Sequence, residues 1–437
     1  MQEDLLHFIW KYKKFPHTHL RTTKDEPIHL VHLGTHNYLA GPDFLNARIG
    51  LGNQMWAGNV EIHVKSSDWY AHGHEGDTKY NNVILHVVWE HDMPVYRKDK
   101  EEIATLELKN YVPQSLLVSY NHLLDKQGKQ FINCEREIRH VDTFVVVNWL
   151  ERLYFERLER KAREIEEELV RTKNNWEQVL FILLLKNVGS PINKDAFSSL
   201  ANALDFSIVR KIQDSPFKLE SVFFGLSGLL EETHTDTYYL ELQREYNYLE
   251  NKFGLDSEHV LRPDFFKLRP PNFPTVRLSQ LASIYGRHAN LFAKVMQISH
   301  INEYYDVFQV AASAYWDNHY TFGRESKKNK KRLTKNFIDL LLINTVFPLK
   351  FCYNRYRGNN VNMGIIPLIS QLKAERNRIV DGFKNVGFQA GNAMESQSAL
   401  QLYTAYCAKN RCLHCAVGGI LVRGASGDGP AAYAHVE

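Results

Sequence analysis

The chain has 437 residues, of which 44% are hydrophobic and 24% charged, with a net charge of +3. That composition excludes a disordered or fibrous chain and gives enough apolar material for one large domain or two to three ordinary ones. Five cysteines exclude a secreted disulfide framework, and no apolar run exceeds the seven residues Val179–Leu185, which excludes a membrane span.

The amino-terminal stretch MQEDLLHFIWKYKKF does not read as a signal peptide, because acids precede the apolar residues and lysines interrupt them. The expected location is therefore cytoplasmic, with no membrane partner. Residues 2–15 fit an amphipathic helix through Leu5, Leu6, Ile9 and Trp10. PIHLVHLG reads as a strand from Pro27 to Gly34, and further strands are expected within Asn46–Leu51, Val60–Lys65, Val83–Trp89 and Ile103–Leu108.

The stretch Gly41–Asp92 carries the densest chemistry. In the run Gly58–Lys65 the residues alternate, so Val60, Ile62 and Val64 share one strand face while Glu61, His63 and Lys65 share the other. A carboxylate, an imidazole and an ammonium in one row fit either a solvated edge strand or a working site. Pro42 suits the start of a strand, and it places Asp43 there. His72, His74 and Asp77 follow in a polar loop, where Gly73 lets two imidazoles converge on a metal or leaves them in solvent. His86 lies in the apolar run VILHVVW, either as a core histidine or facing the same cavity as His63.

Beyond Pro113 the pattern turns helical. Helices are expected at Phe144–Thr172, Trp176–Lys186, Lys194–Leu204, Leu219–Glu232, Thr237–Lys252, Leu278–Gly286, Asn290–Met296, Phe337–Thr345, Ala374–Phe383 and Ser396–Ala408, with a break at Gly189-Ser190-Pro191. Arg262, Arg269 and Arg277 surround the bend RPPNFPTVR, as phosphate contacts or as parts of a rigid ion-paired turn. The basic run Ser326–Arg332 is a solvated loop or tracks a nucleic-acid backbone. Cys407, Cys412 and Cys415 form C-x4-C-x2-C, a spacing suited to zinc or an iron–sulfur cluster, with Cys134 or Cys352 as a fourth ligand, or else to ordinary packing.

Two resemblances add to these readings. The wording GPDFLNARI, GNVEIHVKSSDWYAHGH, YNNVILHVVWEHD, RPPNFPTVRLSQLA and YCAKNRCLHC resembles a bacterial family, the domain of unknown function family 2851, over nearly the whole chain. Pro42-Asp43 followed by Glu61-Ile62-His63 resembles the PD-(D/E)xK nuclease pattern, and the resemblance implies that Asp43 and Glu61, on consecutive strands, hold Mg²⁺ or Mn²⁺ while His63 or Lys65 positions a water or stabilises charge on a phosphate. The departure is at the lysine, whose place His63 takes while Lys65 lies one strand period further on.

The expected fold is α+β: an α/β nuclease-like domain over 1–115, an α-helical domain over 116–423 ending in the cysteine cluster, and a flexible tail over 424–437. The expected function is a divalent-metal-dependent phosphodiesterase acting on nucleic acid. Its rivals are a non-catalytic nucleic-acid-binding protein and a histidine-rich metal-dependent hydrolase of small substrates.

Overall fold

The computed structural model describes residues 2–37, 39–124, 131–359 and 362–424. The fold is α+β, with a mixed sheet in the amino-terminal part and helices through most of the remainder. Residues 425–437 of the expected tail lie outside the described residues.

The chain forms two compact units. The first comprises Met1–Trp149, Asn385–Phe388 and the chain from Leu402 on; the second comprises Leu150–Lys384 and Gln389–Gln401. Two expectations are corrected here. The first unit does not stop near residue 115, and the C-terminal cysteines fold with the sheet and not with the helical domain. The physical reason is burial. Leu413 and Val422 are apolar and pack into the same core as α1 (Glu3–Lys11) and the sheet.

The sheet of the first unit contains β1 (Leu20–Arg21), β2 (Pro27–His32), β3 (Thr35–His36), β4 (Phe44–Leu51), β5 (Gln54–Lys65), β6 (Val83–Glu90) and β7 (Thr105–Glu107). Its order is β1-β2-β4-β5-β6-β7, with β3 also pairing with β4. Pairing is antiparallel as far as β5 and parallel from β5 to β6 and β6 to β7. A parallel neighbour needs a crossover of a dozen or more residues. Here the crossover holds only the four-residue helix α2 (Asp68–Ala71), a polar loop and one short turn. That loop carries His72 and His74.

β5 is central. Strands lie on both sides of it, which excludes the solvated edge-strand reading. Its apolar residues Val60 and Ile62 pack with Leu5, Leu6, Ile9 and Trp10 of α1 in one core. Gly58 lets β6 approach, since a Cβ there would meet Ile84 Cγ2 at 2.4 Å and the Asn82 carbonyl oxygen at 2.6 Å. The β4–β5 pairing shifts register between Phe44 and Ala47, where Asn46 has a φ of +59°. Bulges of this kind re-aim the residues beside them, and Asp43 is the next residue out.

The second unit is helical around a single large core that includes Phe181, Phe197, Phe206, Phe223 and Tyr285. The helix expected at Phe144–Thr172 spans Thr143–Arg171, and the break expected at Gly189-Ser190-Pro191 separates the helix Trp176–Val188 from the helix Ser190–Ala203, with Ser190 at a φ of +57° and a kink at Asn193. The helix expected at Ser396–Ala408 ends at Gln401, and a wider π turn, Leu402–Tyr406, precedes the cysteines.

Candidate metal centre

Glu61 and His63 project from the middle of the sheet and are 4% and 1% exposed. The parallel register sets Glu61 beside His86 of β6, which is fully buried. His63 Nδ1 lies 2.8 Å from His86 Nε2, and His63 Nε2 lies 3.1 Å from His72 Nδ1. The Glu61 carboxylate Oε1 sits 3.3 Å from His74 Nε2 and 3.6 Å from His63 Nε2. One nitrogen from each of His63, His72 and His74 falls within 4.8 Å of the other two.

The crossover is held by both of its ends. At β6's far end Asp92 accepts hydrogen bonds from Ser66 Oγ at 2.8 Å, Ser67 N at 2.9 Å and Ser67 Oγ at 2.7 Å. Asp68 accepts from the Lys65 amide at 2.8 Å. The His74 ring stacks on Tyr80 at 3.8 Å, and Trp69 packs edge-on against both. These aromatic walls fix the imidazole planes.

Asp43 and Glu61 bracket the strand pair. Asp43 N donates to Glu61 Oε2, and Ile62 N donates to Asp43 Oδ2, both at 3.0 Å. Asp43 Oδ2 also meets His7 Nε2 of α1 at 3.2 Å. Sequence reasoning missed His7. Its only signal was a polar residue between the buried Leu6 and Phe8 of an amphipathic helix.

Electrostatics follows from burial. Desolvation is the main cause that pushes the Glu61 carboxyl up to about 7; the hydrogen bond from His74 opposes it and the charge of Asp43 adds to it. Desolvation likewise holds His63 down at about 3, helped by His74 and His72, and holds His86 well below its ordinary value. Burial works against the charged form of His7, but the Asp43 carboxylate outweighs it and raises the imidazole. The centre therefore presents two neutral imidazoles, His63 and His86, beside a carboxyl poised near neutrality. The imidazole donors suit a divalent transition ion, since imidazole binds Zn²⁺ and Mn²⁺ more readily than it binds Mg²⁺.

Not every expected residue joins this cluster. Lys65 is exposed at the end of the row. Asp77 accepts from the Lys79 amide at 2.9 Å and caps the turn Thr78–Tyr80, so its carboxylate serves its own loop. The three arginines do not form one surface either. Arg262 pairs with Glu232 at 2.6 Å, and Arg269 is exposed beside the bend. Arg277 is 6% exposed, lies over the Phe337 ring at 3.5 Å and donates to Gln280 and Asn272. Arg277 is thus a buried brace and not a nucleic-acid contact, because its guanidinium is buried inside the unit with both terminal nitrogens engaged.

The basic run splits in the same way. Lys331 turns inward, with Nζ donating to the Asp317 carbonyl at 2.8 Å. Lys330 and Arg332 join Arg287, Ser283 and Gln309 around a cleft of about 410 Å³ that no carboxylate lines.

The C-terminal cysteines gather with Cys134. Cys407 is near enough to Cys134, Cys412 and Cys415 for each to raise its thiol, burial being the larger cause. Burial also lifts Cys134 to about 12 and Cys415 to about 11. Cys352 is buried in the second unit, within the helix Phe347–Tyr356.

Among the described residues no helix is long and apolar enough to cross a membrane. No curated protein and no solved structure matches the chain. The family described as "Protein of unknown function (DUF2851)" has a model that matches residues 3–378, and the chain belongs to that family.

Proposed function

We propose that this protein is a divalent-metal-dependent phosphodiesterase acting on nucleic acid, with its cation held by His63, His72 and His74 together with Glu61. The observation that carries the reading is the closure of three imidazole nitrogens within 4.8 Å, with the Glu61 carboxylate 3.3 Å from His74. The donor set favours Mn²⁺ or Zn²⁺ over the Mg²⁺ that two carboxylates alone would select. Bound there, the cation would supply Lewis-acid polarisation of a phosphoryl oxygen and a more acidic water.

The protein's own groups divide the remaining work. His63 is neutral, so it serves as a donor atom and not as the cation that a nuclease lysine would be. Lys65, two residues on and exposed, is the group that can offer positive charge to a phosphate. Asp43 aligns Glu61 through the paired backbone contacts, and His7 beside Asp43 can take up or release a proton.

Two features support a phosphate-bearing substrate. The hairpin of β4 and β5, with Asp43 just before its first strand and Glu61 on its second, supports the PD-(D/E)xK reading, from which the four-residue helix of the β5–β6 crossover departs. The cleft lined by Arg287, Lys330 and Arg332 suits a phosphate backbone. A second reading, a hydrolase of small substrates, is favoured by one observation: the tight metal-ligating group consists of imidazoles alone and omits Asp43.

The test is cleavage of single- and double-stranded DNA and RNA, beside a small phosphodiester, with Mn²⁺, Zn²⁺ or Mg²⁺. Mn²⁺-dependent nucleic-acid cleavage that Glu61→Gln abolishes is the expected result. Cleavage of the small ester alone would favour the second reading, and no cleavage of any substrate would leave a binding protein.

A further inference from the structure

We infer that Cys134, Cys407, Cys412 and Cys415 hold an iron–sulfur cluster that fastens the returning C-terminal segment to the sheet unit. The site lies apart from the imidazole centre and goes beyond the proposed activity. Four of the five cysteines gather here, although the whole second unit separates Cys134 from the other three in sequence: Cys134 and Cys412 pack against one core, and tight turns run from Asn410 N to the Cys407 carbonyl at 3.1 Å and from Cys415 N to the Cys412 carbonyl at 3.2 Å. No disulfide joins any of them.

The surroundings are built for thiolates. Asn133 Nδ2 donates to Cys412 Sγ at 3.2 Å and to Asn410 Oδ1 at 3.1 Å, so one amide ties both segments together. The amides of Val417 and Gly418, at the start of the nine-residue helix Ala416–Gly424, donate to Cys415, and the Trp149 side chain lies beside it. A neutral thiol is a weak acceptor and gains little from such donors, whereas a metal-bound thiolate is oriented and tuned by them. Gly418 makes the approach possible, because a Cβ there would meet the Cys412 carbonyl oxygen at 2.1 Å.

Spacing separates a cluster from a single ion. Zinc at about 2.3 Å from each sulfur would draw all four to within about 4 Å of one another. Among the described residues no three of these sulfurs lie within 4.8 Å of one another. An iron–sulfur core spreads its thiolates over several metal atoms and fits the more open set.

The place of the site gives its role. The first unit is completed by chain that returns after the second, and Leu413 and Val422 of that return sit in the sheet's core. A metal link between Cys134 and the returning segment closes a long loop, and its binding energy adds directly to the stability of the unit.

The experiment uses the full chain purified without oxygen, as isolated or after reconstitution with ferrous iron and sulfide. Iron and acid-labile sulfide should be present in equal amounts, about four of each for a cubane, with visible absorbance that bleaches on reduction. Cys134→Ser and Cys412→Ser should lose both, and Cys352→Ala should keep both. If the serine variants do not fold, thiol counting on wild type replaces them: chelation should expose four cysteines and leave Cys352 protected. One zinc per chain without sulfide would overturn the cluster. No metal would overturn the site, and an intact cluster in Cys134→Ser would overturn Cys134 as its ligand.

Discussion

Glu61→Gln should make the metal-free protein more stable at alkaline pH. Glu61 is 4% exposed, and its carboxyl is held at about 7 against an ordinary 4.5. The unfolded chain therefore loses this proton as pH rises through 4.5, while the folded chain keeps it until about 7. Over that window the native state binds more protons, so stability falls with rising pH. The loss is complete just above pH 7 and amounts to about 3 kcal/mol, at about 1.4 kcal/mol per pH unit. Glutamine keeps the shape and the Asp43 amide contact but has no proton to lose. His63 works with the opposite sign. Its folded value near 3 lies below the ordinary 6.5, so its contribution is present above 6.5 and is lost as pH falls towards 3. Both proteins carry that term, and it cancels in their difference.

The assay is urea unfolding of metal-free protein between about pH 4.5 and pH 8, read by pulsed hydrogen exchange of β5 peptides so that only the sheet unit reports. The variant should match wild type near pH 4.5 and exceed it by up to about 3 kcal/mol at pH 8. Mn²⁺ at about 1,000 times its Kd for wild type should reverse the order, because it stabilises wild type by about 4.1 kcal/mol and binds the variant, which lacks the charged ligand, more weakly. A difference that does not change with pH, or an equal gain from Mn²⁺ in both proteins, would refute the reasoning.

The other predictions are independent of that titration. His86 touches His63 and not the metal position, so His86→Gln should weaken Mn²⁺ binding by about 10- to 100-fold in calorimetry, as loss of an outer partner does. Lys65→Ala should leave Mn²⁺ affinity unchanged, shift stability by less than about 0.5 kcal/mol and slow cleavage. Arg277→Met should lower the urea stability of the helical unit by about 2 kcal/mol or more, since it removes the stacking on Phe337 and strands Asn272 and Gln280. Gly58→Ala should destabilise the sheet unit by about 1–3 kcal/mol, because the added Cβ meets backbone at Asn82 as well as Ile84; circular dichroism melting checks it.

The strands were legible where a local pattern sufficed. Alternation from Val60 to Lys65 puts Glu61 and His63 on one face, and the structure has them there. What alternation cannot carry is the identity of the neighbours. Burial of Glu61 and His63 follows from β6 lying parallel to β5, a pairing made across seventeen residues of crossover between Lys65 and Val83. The same non-local step brings His86 beside Glu61. His7 was illegible because helical spacing marks a face and not what lies opposite it. Cys134 was one of two candidates until folding brought it to the C-terminal cysteines, and Arg277 stayed between two readings because flanking prolines say nothing of which way a guanidinium turns.

The histidine chain bears on the proposed cation at this centre. Each neutral imidazole has one donor and one acceptor nitrogen, so the contacts His86 Nε2 to His63 Nδ1 and His63 Nε2 to His72 Nδ1 allow two directions of donation. In the direction that runs from His86 to His63 to His72, His86 Nδ1 is a bare acceptor, which costs less at a buried atom with no partner than a bare donor would. A cation at His63 Nε2 requires the reverse. His63 must donate from Nδ1, and the His86 proton moves to Nδ1, where a buried unpartnered donor costs about 1–3 kcal/mol. A bound cation would therefore leave strain at His86, and Glu61 would offset it, because the carboxyl that burial raises to about 7 would pair as an anion with that charge. The strained imidazole and the poised carboxyl face one another across the β5–β6 register. The two halves of the exchange are therefore built into adjacent residues of one strand pair.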